Sequence, residues 1–555
     1  MIFLKETILN KLQDNPIVQQ MLQFGNNIGN LLPNEEALCL ASAFMQDKQT
    51  RIVVKKNRYE AQQLYQRLKP HINDTLLFVM EESLRVQAIA SSPEDKQEQL
   101  YVLTQLVKED KPRIIICNTA AFFRYLPDKE LFRNLCFKFE VDQEITMTEL
   151  KQKLNRAGYT KVNYVDRPCT YASRGGIVDV YCLEYDHPIR IEFFDTVIES
   201  IRIFHEETQR TIETIDSVLI NPATDLLFTD DQIEFLQKEI DSELEKQHEK
   251  LIQDDYDFLL DYIEKDKIAL ENYDIDPHLY IYFSYLNANQ FMDYVQGHII
   301  FSSQEEVENG YKKLNEETIS FIQEMVESHQ YLPKYSMFHD VFAFEKEHNI
   351  QMFHDFMDFK NPIFSKIETL EKSDQPLIKV LENLKGKTIY ISLDEEHTKK
   401  VEEALKAYSI HKNIIFIEDD FYEGFMYEDI SVYTQQELFH RPSQIKRYQK
   451  TFKQGQILQN ILELEPNDYV VHEQYGIGQY VGITTRKIKG KTLDYLHVIY
   501  NGGDELYVPL SQFQLVRKYV SKEGVGIKLS QLGSNKWKKT KEKVSKKVEE
   551  IAARL

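Results

Sequence analysis

Between Arg174 and Thr211 the chain alternates apolar and polar residues in short runs, and this pattern restricts what it can fold into. Arg174-Gly175-Gly176-Ile177-Val178-Asp179-Val180-Tyr181 is followed by Ile189-Arg190-Ile191-Glu192-Phe193-Phe194-Asp195 and then by Ile201-Arg202-Ile203-Phe204. Such runs, with turn residues between them, predict a short antiparallel meander. In the middle strand Ile189, Ile191 and Phe193 share one face, and Arg190, Glu192 and Phe194 share the other. The first is a plain core face. The second sets a large aromatic beside an arginine and a carboxylate on the side that should be wet. Phe194 is then either an interface anchor or a residue covered by a loop of its own domain.

At 555 residues the chain is too long for one core, and about three to five domains are expected. It has no run of eighteen apolar residues, so no membrane span is expected. The start, Met1-Ile2-Phe3-Leu4-Lys5-Glu6, lacks a signal-peptide pattern. Cys39, Cys117, Cys136, Cys169 and Cys182 are odd in number and never spaced Cys-x-x-Cys. They read as reduced thiols of a cytoplasmic protein, with no metal site. The net charge of −22 argues against a surface that sheathes nucleic acid, so any DNA contact must be local. Acidic runs such as Asp254-Asp255-Tyr256-Asp257 read as solvated faces.

Residues 1–137 alternate strand and helix signals. Ile52-Val53-Val54 precedes Asn57, a helix cap, and Ile114-Ile115-Ile116-Cys117 precedes Asn118-Thr119, which opens another helix. This predicts an α/β domain with a parallel sheet. A phosphate-binding loop would end in Gly-Lys-Ser/Thr before the first helix. The corresponding place, Phe24-Gly25-Asn26-Asn27-Ile28-Gly29-Asn30, has glycines but no Lys-Ser/Thr, so the domain reads as a degenerate, non-hydrolytic NTPase relative. Gly386-Lys387-Thr388 and Gly490-Lys491-Thr492 lead into strands, where a phosphate loop must open a helix, and read as false positives.

The expected organisation runs as follows: 1–137, first part of the degenerate α/β domain; 138–221, the β-meander domain; 222–345, a helical, acidic segment; 346–440, a small α/β domain; 441–465, a linker. Residues 466–520 hold short strands joined at Lys489-Gly490-Lys491 and Asn501-Gly502-Gly503-Asp504, both hairpin signals. They predict a small SH3- or Tudor-like β-barrel. Residues 521–555 read as a linker and a basic terminal helix, whose Lys538, Lys539 and Lys543 are candidate DNA-phosphate contacts or else a solvated face. The fold class is therefore multidomain α/β and α+β.

Two blocks carry a family resemblance. Arg174-Gly175-Gly176-Ile177-Val178-Asp179, Arg190-Ile191-Glu192-Phe193-Phe194-Asp195 and Ile198-Glu199-Ser200-Ile201-Arg202 resemble the module shared by the UvrB excision-repair protein and the bacterial transcription-repair coupling factors. The resemblance implies UvrA binding, carried by Arg174, Arg190 and Phe194. It departs at Cys169-Thr170, where the family usually has Gly and an acidic or amide residue. Val471-His472, Tyr475-Gly476, Gly478, Tyr480, Asp494-Tyr495-Leu496 and Leu506-Tyr507-Val508-Pro509 resemble the RNA-polymerase-interacting domain of coupling factors and CarD-type regulators. That implies docking on the polymerase β subunit through an exposed strand, here Tyr495, Leu496, His497, Val498 and Ile499, with Leu496 and Val498 as anchors.

The resemblance further implies that 222–345 completes the first domain, and that coupling factors lose the ATP site of their UvrB-like part. It implies that the whole protein is an ATP-dependent DNA translocase, with ATP, magnesium and most double-stranded DNA contact in a motor region that these residues do not contain. The residues present are expected to catalyse nothing and to need no cofactor. The leading reading is an adaptor of transcription-coupled repair. The alternatives are an active UvrB-like damage-recognition enzyme, disfavoured by the missing phosphate loop, and a CarD-like regulator, disfavoured by the long UvrB-like region. On the leading reading Arg190→Ala should weaken UvrA binding by about 1–3 kcal/mol, and Leu496→Arg should abolish polymerase binding alone.

Overall fold

The computed structural model describes residues 4–24, 28–29, 31–80, 93–206, 208–273, 277–354, 365–366, 377–417, 421–439, 469–472, 475–488, 491–502, 504–509, 516–518 and 529–530. The chain divides into two compact units, Met1–Tyr448 and Gln449–Leu555. No helix among the described residues is long and apolar enough to cross a membrane.

The first unit is built on a six-stranded parallel sheet in the order Ile28–Gly29, Ile350–His354, His298–Phe301, Arg51–Lys55, Ile114–Asn118, Thr75–Phe78. Its central strands are β-branched runs buried on both faces, as a parallel sheet between helices requires. Ile52, Val54, Ile115, Cys117, Ile299 and Phe301 point into one core. Val53, Ile114, Ile116 and Ile300 alternate with them and point into a second. The helix Arg58–Leu68 starts where expected, because Asn57 Oδ1 accepts from the Glu60 amide at 2.9 Å. Asn118 caps Thr119–Phe123 in the same way.

The strand His298–Phe301 enters between two strands distant in sequence, so the chain does return to complete its first sheet. The completion runs on through Ile350–His354, past the boundary expected at 345. Between departure and return lies the inserted domain. Its outgoing strand Phe137–Glu140 pairs antiparallel with its returning strand Ser217–Ile220 and forms a neck.

Beyond the neck are six strands: β1 (Thr160–Lys161), β2 (Thr170–Arg174), β3 (Ile177–Tyr181), β4 (Ile189–Phe194), β5 (Val197–Phe204) and β6 (Thr211–Ile215). They lie in sequence order, antiparallel except for β1 and β2. The helix Met147–Arg156, closed by the Thr146–Glu149 capping box, buries Leu150 and Leu154 in the same core as the inner-face residues Val178, Val180, Ile189, Ile191 and Phe193.

A second, five-stranded mixed sheet spans residues 365–433. Gly386 has φ 117° and leads into the strand Thr388–Ser392, so this Gly-Lys-Thr is not a phosphate loop. Phe421, Phe425, Ile430 and Val432 of this part share a core with Val53 and Ile116 of the first sheet. The Arg67 guanidinium lies 4.0 Å from the Tyr422 ring centroid and fastens the same contact.

The second unit is a five-stranded antiparallel sheet of β7 (Tyr469–His472), β8 (Gly476–Ile488), β9 (Lys491–Ile499), β10 (Glu505–Pro509) and β11 (Val516–Lys518), in the order β10-β9-β8-β7-β11. Its core is Val470, Tyr480, Leu496, Val498, Tyr500, Val508 and Val516. A Cβ at Gly478 would stand 2.4 Å from Val498 Cγ1, so only glycine fits that approach. The linker 441–465, the terminal helix and Lys538, Lys539 and Lys543 lie outside the described residues.

A candidate protein-docking face on the inserted sheet

Two hairpin tips meet at one end of the inserted sheet. Gly175-Gly176 joins β2 to β3, and Asp195-Thr196 joins β4 to β5. Both loops are two residues long and turn through a left-handed residue, Gly175 at φ 55° and Asp195 at φ 56°. Gly176 is held close by the neighbouring tip: its carbonyl accepts from the Phe193 amide at 2.8 Å, and an added Cβ would lie 3.0 Å from Phe193 O.

Phe194 is the last residue of β4 and is 74% exposed. No loop among the described residues covers it, so the covered alternative falls. Arg174, at the end of β2, is also exposed. Its Nη2 donates to Asn163 O at 3.0 Å, and it pairs with no carboxylate among the described residues.

Arg190 sits lower on the same outer face and is far more constrained. Its Nε and Nη2 donate to Asp179 Oδ1 and Oδ2, each at 2.8 Å, and Nη2 also donates to Gln209 Oε1 at 2.8 Å. The guanidinium carbon lies 4.3 Å from the Phe204 ring centroid. The Asp179 hydrogen bond, opposed by burial, holds the Arg190 pKa above its ordinary value. Strand register explains the pairing, because Asp179 of β3 stands directly opposite Arg190 of β4. Next along the face Arg202 pairs with Glu192, whose Oε2 also accepts from Ser200 Oγ at 2.8 Å.

The outer face is therefore a row of neutralised ion pairs ending in an unpaired arginine and a bare phenylalanine. Sequence reasoning named Arg174, Arg190 and Phe194 but missed Asp179 and Gln209. The alternation Val178-Asp179-Val180 marks Asp179 as outward. Gln209 lies in the connection after β5, where no periodicity points at Arg190.

Cys169, where the sequence departs from the family pattern, has φ 63°. A cysteine thus holds a backbone conformation that favours glycine. Burial pushes its thiol pKa up to about 11, and all five cysteines are free.

In the second unit the expected docking strand is not an edge. Residues 495–499 of β9 pair with β10 on one side and with β8 on the other. Leu496 and Val498 are wholly buried in the sheet's core. This corrects the expectation that they anchor a partner: a strand paired on both sides offers no backbone edge, and its inward side chains are already spent. Of the other face, His497 and Ile499 are half-buried. His497 stacks on Tyr507 of β10 with ring centroids 4.6 Å apart. Among the described residues β10 ends this side of the sheet.

The strand Ile28–Gly29 precedes the helix Pro33–Asp47, the order of elements that carries a phosphate loop elsewhere, while residues 25–27 and 30 of the candidate loop lie outside the described residues. Here its first turn holds Glu35 and Glu36, both buried. Glu36 accepts from Lys55 Nζ at 2.8 Å and from Ser302 Oγ at 2.5 Å.

Residues 137–226 match the family described as the UvrB interaction domain. Residues 464–520 match the CarD-like/TRCF RID domain. The chain is 28% identical to the transcription-repair-coupling factor of Bacillus subtilis (strain 168) over 90% of its own length and 45% of that protein. It is 28% identical to the protein of the same name from Staphylococcus haemolyticus over 95% of its length and 48% of the relative. For Staphylococcus epidermidis the figures are 27%, 100% and 50%. The chain thus spans about half the length of the relatives it matches.

Proposed function

Because the chain corresponds over nearly its whole length to the N-terminal half of the transcription-repair-coupling factors, we propose that it is a two-ended recruitment adaptor of transcription-coupled repair. The inserted sheet calls in UvrA, and the second unit holds RNA polymerase through its β subunit. The observation that carries this is the bare Phe194 and, at the same end of the inserted sheet, an Arg174 that pairs with no carboxylate among the described residues, both within the UvrB interaction domain.

Phe194 supplies apolar area and Arg174 an unneutralised charge, the pairing found at interface hot spots. At the other end, the sheet is read as part of a small SH3- or Tudor-like barrel. Polymerase docking is assigned to Tyr495, His497 and Ile499 of β9, with the β10 edge available for strand addition. ATP-driven DNA translocation, and DNA binding with it, is assigned to the whole protein rather than to these residues. The buried Glu35 and Glu36 support that assignment, since a carboxylate at a helix start repels a phosphate.

The test is capture of the chain by UvrA and, separately, by the polymerase β subunit, with wild type and Phe194→Ala. The expected result is that wild type binds both and the variant loses only UvrA. A wild-type chain that binds polymerase but not UvrA would overturn the role given to the inserted sheet.

A further inference from the structure

The two arginines of the docking face are not equivalent, and the difference says what each can accept. Arg190 is clamped: Asp179 takes Nε and one hydrogen of Nη2, Gln209 takes the other, and Phe204 fixes the plane of the group. That leaves Nη1 as the nitrogen with no partner among the described residues. The charge is clamped as well, because a carboxylate contacting two guanidinium nitrogens neutralises it locally. A second carboxylate brought to Nη1 would face Asp179 as well as Arg190, and the gain from the cation would be offset by repulsion from the anion. Arg174 has the opposite character, exposed and with only a backbone carbonyl as partner.

We infer that Asp179 and Gln209 are positioning residues which set Arg190 as a rigid single-nitrogen donor for a neutral carbonyl-type acceptor on the partner, while Arg174 alone takes the partner's anion. This rests on the docking reading given above for the inserted sheet. Preorganisation is the physical advantage: a free arginine loses rotamer entropy on binding, and a clamped one has lost it already. The same logic explains why Gln209 is held on both ends of its amide, with Nε2 donating to Glu206 O at 2.8 Å.

The experiment measures UvrA affinity for the full chain in a double-mutant cycle, repeated at low and high salt. The variants are Asp179→Asn, Gln209→Ala, Arg190→Ala and Arg174→Ala, with the Asp179 and Gln209 changes also placed on the Arg190→Ala background. A melting curve on each reports folding. Asp179→Asn and Gln209→Ala are expected to weaken binding about tenfold without touching the partner. Neither should cost anything further once Arg190 is alanine. Arg174→Ala should flatten the dependence of affinity on salt, and Arg190→Ala combined with Asp179→Asn, which removes a neutral pair, should lower affinity at every salt concentration while leaving that dependence unchanged.

Additive losses, or a combined Arg190→Ala and Asp179→Asn change that flattens the salt dependence as much as Arg174→Ala, would overturn the inference while leaving the docking reading in place. Gln209→Ala keeps the test decisive if Asp179→Asn unfolds, since Gln209 is half-buried in a connection rather than in a strand. A wild-type chain without affinity for UvrA would sink the docking reading, and this inference with it.

Discussion

Single side chains divide cleanly into those that face a partner and those that hold the fold. Phe194→Ala removes an exposed ring, so it should cost about 2–4 kcal/mol of UvrA affinity, as an anchor does, and leave the melting transition where it was. A melt that falls with affinity would show that the ring packs internally. Arg190→Ala is a different substitution. It leaves Asp179, buried at 8% exposure, without its cation, so loss of binding should come with loss of stability. Reading the sequence as alternating faces found Arg190 and Phe194, because period two is a local property, whereas Arg174 was named only through the family resemblance. It could not weigh them, since the clamp on Arg190 depends on a glutamine nineteen residues on. Cys169 is the opposite case: its left-handed backbone would have been announced by a glycine, and a cysteine conceals it.

Strands and helices show where alternation misleads. In β9 it separated Leu496 and Val498 from His497 and Ile499, but it could not say which set faced inward. That depends on pairing with β8 and β10, and a strand's role as edge or centre is not written in its own residues. Leu496→Arg would now bury a charge in the sheet's core and unfold the second unit rather than spoil a contact. Gly478→Ala offers a gentler probe of the same core. Its Cβ would press on Val498 and Tyr500 at a cost of about 1–3 kcal/mol, read as a lower melting temperature of that unit.

A second element-level prediction concerns the helix Val341–Glu347. Burial, and to a lesser extent Glu308, push Glu345 from the ordinary 4.5 up to about 7. A raised folded-state pKa means that the stability contributed by the protonated form is fully present below 4.5 and is lost as pH rises through 7. Glu345→Gln should therefore raise the first unit's melting temperature more at pH 8 than at pH 4. An equal effect at both would mean that the carboxyl titrates normally. The helix caps, by contrast, were open to reading from the start: Asn57 and Asn118 each bond an amide within their own first turn, and local chemistry needs no tertiary knowledge.

At the scale of the whole molecule, the first domain is closed by strands that enter its sheet from far along the chain. Ile299 stands opposite Ile52, a pairing that no local pattern encodes and that only the family resemblance implied. The same non-local closure reaches the start of the helix Pro33–Asp47. The strand that returns at His298–Phe301 brings Ser302 onto Glu36 Oε1, while Lys55 binds Oε2. A phosphate arriving at the start of the helix Pro33–Asp47 would meet two buried carboxylates, and the lysine that could have welcomed it is already paired. Expelling Glu36 would strand Lys55 and cost more than a surface ion pair could return. Magnesium-ATP should therefore leave the melting temperature of this chain unchanged, whereas a ligand at a hundred times its Kd would add about 2.7 kcal/mol of stability. A reproducible ATP-dependent rise, abolished when Lys55 is changed to alanine, would revive the reading of this domain as a working nucleotide site. A rise that survives Lys55→Ala would place the nucleotide elsewhere on the chain.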